Sequence, residues 1–153
     1  MSAQLSYAIN QAKAYAGGIF ALGTNDVGSF SVETVAGINF GVAVSRGTDK
    51  ESQVVLGGDA TFLGVTIRDL GREGAANTGD IKYNENETAG VMRKGYIWVV
   101  CPTGCVPGDV ANYVDATGVI DSGVAAAGET DIVGATFETV AAAGELAVLR
   151  INS

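Results

Sequence analysis

From residue 30 onward the chain alternates short β-branched, apolar segments with turns rich in Gly, Asn and Asp, a period-two signature of β-strands. In Asn39–Ser45 the alternation puts Phe40, Val42 and Val44 on one face. In Phe62–Arg68 it puts Leu63, Val65 and Ile67 on one face. Tyr96–Cys101 is apolar at every position, which predicts a central strand covered on both sides. Val91–Arg93 precedes it, and Lys94-Gly95 reads as the turn of a hairpin joining the two. Val110–Asp115 and Gly118–Asp121 predict a second pair, turned by Ala116-Thr117. Ile132–Glu138 and Glu145–Ile151, separated by an Ala-rich link, predict a third.

The first thirty residues follow a different pattern. Leu5, Ile9, Ala12 and Ala16 fall at helical spacing, and Gly17-Gly18 would stop a helix. Ile19 and Phe20 form a small apolar patch ahead of the Asn25-Asp26 turn signal. The reading is an N-terminal arm over residues 1–30, helical or extended, followed by a β domain over residues 31–153. A first strand with a frayed terminus is the alternative. Short strands with Gly-rich turns and long links near 46–60 and 69–88 predict an all-β, jelly-roll-like sandwich or barrel.

Composition sharpens this picture. The chain is 47% hydrophobic and only 17% charged, against a usual charged share of about 25%. That balance argues against disorder and suggests that another chain covers part of the surface. The net charge of −8 disfavours nucleic acid and anionic membranes, and the nine basic residues are scattered. No apolar run is long enough for a membrane helix, and no secretory signal is expected from Met1–Ala16.

The candidate chemistry is sparse. With no histidine, the commonest acid/base group and metal ligand is missing, so no enzyme, metal site or cofactor is expected. Gly57-Gly58-Asp59 and Gly71-Arg72-Glu73-Gly74 lack the Lys-Ser/Thr of a phosphate-binding loop. Asp80, Asn84, Glu85, Asn86 and Glu87 offer calcium-type oxygen donors at a spacing that matches no EF-hand. Cys101 and Cys105 fit either reduced, buried thiols or a local disulfide. Trp98 reads as core packing, with a ligand-stacking platform as the alternative.

The order of these segments resembles the structural cement, or capsid-decoration, proteins of tailed bacteriophages. The likeness runs through Ile38–Val44, Phe62–Ile67, Ile81–Tyr83, Val91–Val99, Val106–Val110, Ile132–Phe137 and Leu146–Asn152. The Cys101–Cys105 turn is outside the pattern. The resemblance implies a non-enzymatic protein on the outer capsid surface of a virion, assembled in the bacterial host cytoplasm. Its implied partners are the major capsid protein and itself, as a homodimer or homotrimer. The apolar arm residues Leu5, Tyr7, Ile9, Ile19 and Phe20 are then the candidate capsid or oligomer contacts. A virion-surface module that binds glycans or a receptor, using Trp98 and the tyrosines, is the competing expectation. A self-assembling tube or shell subunit is a third.

Overall fold

The computed structural model describes residues 14–21, 23–58, 61–71 and 81–152. Among them are nine strands and no helix. They are β1 (Asp26–Val32), β2 (Ala43–Arg46), β3 (Gln53–Leu56), β4 (Phe62–Thr66), β5 (Thr88–Cys101), β6 (Val110–Val114), β7 (Ile120–Ser122), β8 (Glu129–Phe137) and β9 (Glu145–Asn152). The all-β expectation holds. The strand order is β1-β3-β2-β4-β5-β9-β8-β6-β7, and β5 also pairs back onto β1. The first five strands of that order therefore close into a barrel, and the other four extend from it. Only the β1–β3 pair is parallel.

The 14-residue β5 joins the two parts. At a rise of about 3.4 Å per residue it is roughly 45 Å long. Its first half pairs with β1 from Thr88 to Lys94 and with β4 at Val91 and Met92. Its second half pairs with β9, from Lys94↔Asn152 to Cys101↔Glu145. The expected turn at Lys94-Gly95 is therefore replaced by an unbroken strand. Long-range pairing on both flanks overrides the local turn signal. Gly95 absorbs the distortion at φ 135°, and a Cβ there would lie 2.2 Å from the Asn25 Oδ1.

Two apolar cores follow from this arrangement. Phe30, Val32, Val44, Val54, Leu63, Ala89 and Val91 fill the barrel, with Ile38, Phe40 and Tyr83 from its loops. Phe40 and Tyr83 meet edge to face at 5.1 Å. The second core lies between the barrel wall and the appended sheet. It joins Ala43, Val65 and Met92 to Ile97, Val99, Tyr113, Ile120, Phe137, Leu149 and Ile151, among others. Tyr113 ties the two parts together, since its buried hydroxyl donates to the Gly58 carbonyl at 2.8 Å.

Further sequence expectations meet differences in the structure. Leu63 and Val65 share no core, because the β2–β4 register shifts between Val44 and Ser45, leaving Leu63 as the extra residue of a bulge. Tyr96–Cys101 is covered on one side only. Ile97, Val99 and Cys101 are buried, while Val100 is 39% exposed. Finally, β3 lies inside a stretch read as a link, being too short to show a period. β1 begins within the residues read as arm and runs past residue 30. Phe40, Val42 and Val44 do face one core, as expected.

Candidate interaction surface

The most distinctive surface lies on the outer side of β5, where residues 17–20 add a short antiparallel segment. Gly17 N–H donates to the Trp98 carbonyl at 2.8 Å, Trp98 N–H to the Gly18 carbonyl at 2.8 Å, and Phe20 N–H to the Tyr96 carbonyl at 3.0 Å. Ile19 bridges Ile97. On the far side, Arg68 N–H donates to the Gly17 carbonyl at 2.9 Å.

Two glycines make this seat possible. Gly17 has φ 81° and Gly41 has φ 71°, a region that other residues enter only at a cost. A Cβ on Gly17 would lie 2.7 Å from the Arg68 nitrogen, and one on Gly41 would lie 2.7 Å from the Gly17 nitrogen. The segment therefore packs backbone against backbone. Beside it, the Arg68 guanidinium sits over the Tyr15 ring at 4.8 Å and near the Phe40 ring at 5.5 Å.

The result is an apolar strip facing outward. Its Tyr96, Trp98 and Val100 on β5 lie opposite the exposed Arg150, the fully buried Val148 and the half-buried Leu146 of β9. The Phe20 ring stands edge-on to Trp98 at 5.6 Å and tilts against Tyr96 at 6.4 Å. Phe20 is 52% exposed and Ile19 42%. Next to Ile19 a hollow of about 300 Å³ is lined by Tyr15, Ile67, Arg68 and Leu70. A second apolar group is built on β6, β8 and the loop between β7 and β8, where Val110, Val133 and Val124 flank a hollow of about 330 Å³. All three of these valines are exposed.

Of the five residues expected to make contacts, Phe20 lies in this strip, while Ile19, the bridge partner of the buried Ile97, points to the opposite face, beside Ile67 and Arg68. Leu5, Tyr7 and Ile9 lie outside the described residues. Tyr15 and Tyr96 enter the sequence expectation only among the tyrosines of the glycan-binding alternative, and Val100, Leu146 and Leu70 are not singled out. The available signal was the apolar character of Tyr96, Trp98 and Val100. A strand with one solvated face ordinarily carries polar residues at such alternate positions, so apolar ones there point to a face meant to be covered. Trp98 is half-buried, with its ring against Phe20, and so does not present a free stacking platform.

The polar candidates resolve into turns. Asn84 N–H donates to the Glu87 carboxylate at 2.6 Å, and Asn86 takes φ 64°. Asp80 lies outside the described residues. Among the described residues no group of three or more His, Cys, Asp or Glu side chains is placed to hold a metal ion. The Glu33 carboxyl is held below its ordinary value by hydrogen bonds from the Thr48 hydroxyl and N–H. Asp49 is lowered likewise by the Ser52 hydroxyl and the Glu51 N–H. These groups stay ionised and keep the loop around residues 47–53 acidic.

Comparison with known proteins agrees with the architecture. A family model described as "Structural cement protein (E217 gp24/Pam3 gp6)" matches residues 3–152. A solved structure described as "The capsid of Myoviridae Phage XM1" contains a chain of the same fold, with a TM-score of 0.76 and 16% identity. That alignment covers 100% of this chain and 99% of the other. No curated protein matches the chain.

Proposed function

From the premise that the chain belongs to the phage structural cement protein family, we propose that it binds the outer surface of a bacteriophage head. There it bridges junctions between major capsid proteins and stabilises the mature shell, with no catalytic step. The observation that carries this reading is the family match across residues 3–152. The apolar strip around Phe20, Trp98 and Leu146 supports it, because an apolar sheet face in contact with water is commonly an interaction site.

Contact through separate patches suits a bridging role. Each patch binds one neighbour weakly, and both engage only where the shell brings the neighbours to the right spacing, which raises effective affinity. In this proposal one contact is supplied by the strip with Phe20, and the arm over residues 1–30 contributes Ile19 from the adjacent face together with Leu5, Tyr7 and Ile9. Self-association as a dimer or trimer would match local capsid symmetry. The net charge of −8 favours the outer face, since packaged DNA repels an acidic protein from the inner one.

The test mixes purified protein with undecorated, expanded capsids and measures occupancy after sedimentation. Phe20→Ser should lower apparent affinity about tenfold, the equivalent of about 1.4 kcal/mol, while leaving far-UV circular dichroism unchanged. Equal occupancy by wild type and variant would remove the strip from the contact. No occupancy by wild type would remove the cement role and favour the glycan- or receptor-binding module.

A further inference from the structure

We infer that Cys101 and Cys105 form a reversible disulfide site within one chain, closed by exchange with a small oxidised disulfide such as oxidised glutathione. Both cysteines are free and buried in the second core. Cys101 ends β5, and the chain turns back immediately. Gly104 N–H donates to the Cys101 carbonyl at 3.3 Å, the closure of a β-turn, which holds its ends within about 7 Å. Gly104 takes φ 83° and passes so close to residue 141 that a Cβ would lie 2.8 Å from the Ala141 carbonyl oxygen. Cys105 and Ala141 then exchange both backbone hydrogen bonds at 3.0 Å. This fold-back, with Cys105 next to the turn that Cys101 opens, turns both cysteine side chains into the same buried cluster.

The surroundings tolerate the oxidised form. Cys101 donates to the Asp121 Oδ1 at 3.5 Å, and Cys105 to the Thr139 carbonyl at 3.3 Å. Losing the first thiol proton leaves Asp121 satisfied, because the same oxygen accepts from the Thr103 hydroxyl, the Thr103 N–H and the Ser122 N–H. In the closing reaction one cysteine thiolate attacks a sulfur of oxidised glutathione and releases one glutathione thiolate. The second cysteine, as thiolate, then attacks the protein-bound sulfur and releases the other. The protein loses two electrons and two protons, and one oxidised glutathione becomes two reduced ones. Burial raises both thiols above their ordinary value, Cys105 to about 11, so thiolate is scarce at neutral pH and closure is slow.

Closure would pin the end of β5 to the bridge at residue 141, between the exposed Val106 and Val140. Its use to a capsid rests on the cement proposal, as a change made after a virion leaves a reducing cytoplasm. The chemistry is independent of that proposal and is tested on the isolated full-length protein. Reduced protein is incubated with oxidised glutathione, then denatured, alkylated and weighed. Expected are loss of both alkylatable thiols, no retained glutathione, and a single-chain band on a non-reducing gel. The melting temperature should rise by about 5 °C and return with dithiothreitol, while Cys105→Ser shows no such rise. Two alkylatable thiols after prolonged incubation, a stable glutathione adduct, a disulfide-linked dimer or a lower melting temperature would each overturn the inference.

Discussion

Replacing Gly17 by Ala tests how residues 17–20 are held. The added methyl faces two penalties. Keeping φ at 81° costs a non-glycine residue about 1–2 kcal/mol. The Cβ would also sit 2.7 Å from the Arg68 nitrogen, displacing the Arg68–Gly17 hydrogen bond, which is worth about 1 kcal/mol net. Together these come to about 2–3 kcal/mol. The attachment has little in reserve against them. Its four backbone hydrogen bonds contribute about 1 kcal/mol each and the Phe20–Trp98 ring contact about another 1, against an ordering cost of at least about 1 kcal/mol for each of four residues. The segment should therefore detach and leave both cores folded.

Trp98, the only tryptophan, reports this directly. Its amide donates to the Gly18 carbonyl and its ring touches Phe20. In Gly17→Ala the Trp98 amide should lose hydrogen-exchange protection and the fluorescence should shift to the red. The amide of Leu149, within β9, should stay protected, and global stability should fall by less than about 1 kcal/mol. Unchanged Trp98 protection and emission would refute the described seat. A global loss of about 3 kcal/mol or more would show that the segment is part of the core and no separable arm.

Two other perturbations test different levels of the fold. Ile97→Asp places an unpaired carboxylate at a position with 0% exposure, costs several kcal/mol, and should yield insoluble or unfolded protein; a soluble variant of wild-type stability would show that the second core is misassigned. Burial pushes the Asp121 carboxyl up, but hydrogen bonds from Thr103 and Ser122 outweigh it and hold the group below its ordinary value of 3.8. Its contribution to stability is thus present above that value and fades as pH falls through the lower folded-state value. In chemical denaturation the stability gap between wild type and Asp121→Asn should shrink as pH drops below about 4, and a gap that widens there would contradict the sign.

Strand type was legible in the sequence where alternation ran for several residues beside a turn residue. Ile120–Ser122 pairs with Val110–Val114 across the Ala116-Thr117 turn as expected, and Phe137 pairs with Leu149 in the final pair. Strand continuity was less legible. Lys94-Gly95 carries a turn dipeptide, and only pairing with Asp26 and Asn152, distant in sequence, keeps it extended. Barrel closure depends on the β1–β5 contact, which no local pattern encodes. The interaction surface was half legible. Ile19 and Phe20 stood out as apolar residues outside the strand periodicity. Tyr96, Trp98 and Val100 did not, because an outward apolar face and a buried one have the same composition.

The cement role itself is tested most directly by heating undecorated and decorated phage heads side by side and recording DNA release, with the protein's position fixed by electron microscopy of the same sample. Density is expected on the outer surface across capsid-protein junctions, with DNA retained to a higher temperature at saturating occupancy. Density on the inner surface, or identical release curves at full occupancy, would contradict the cement role.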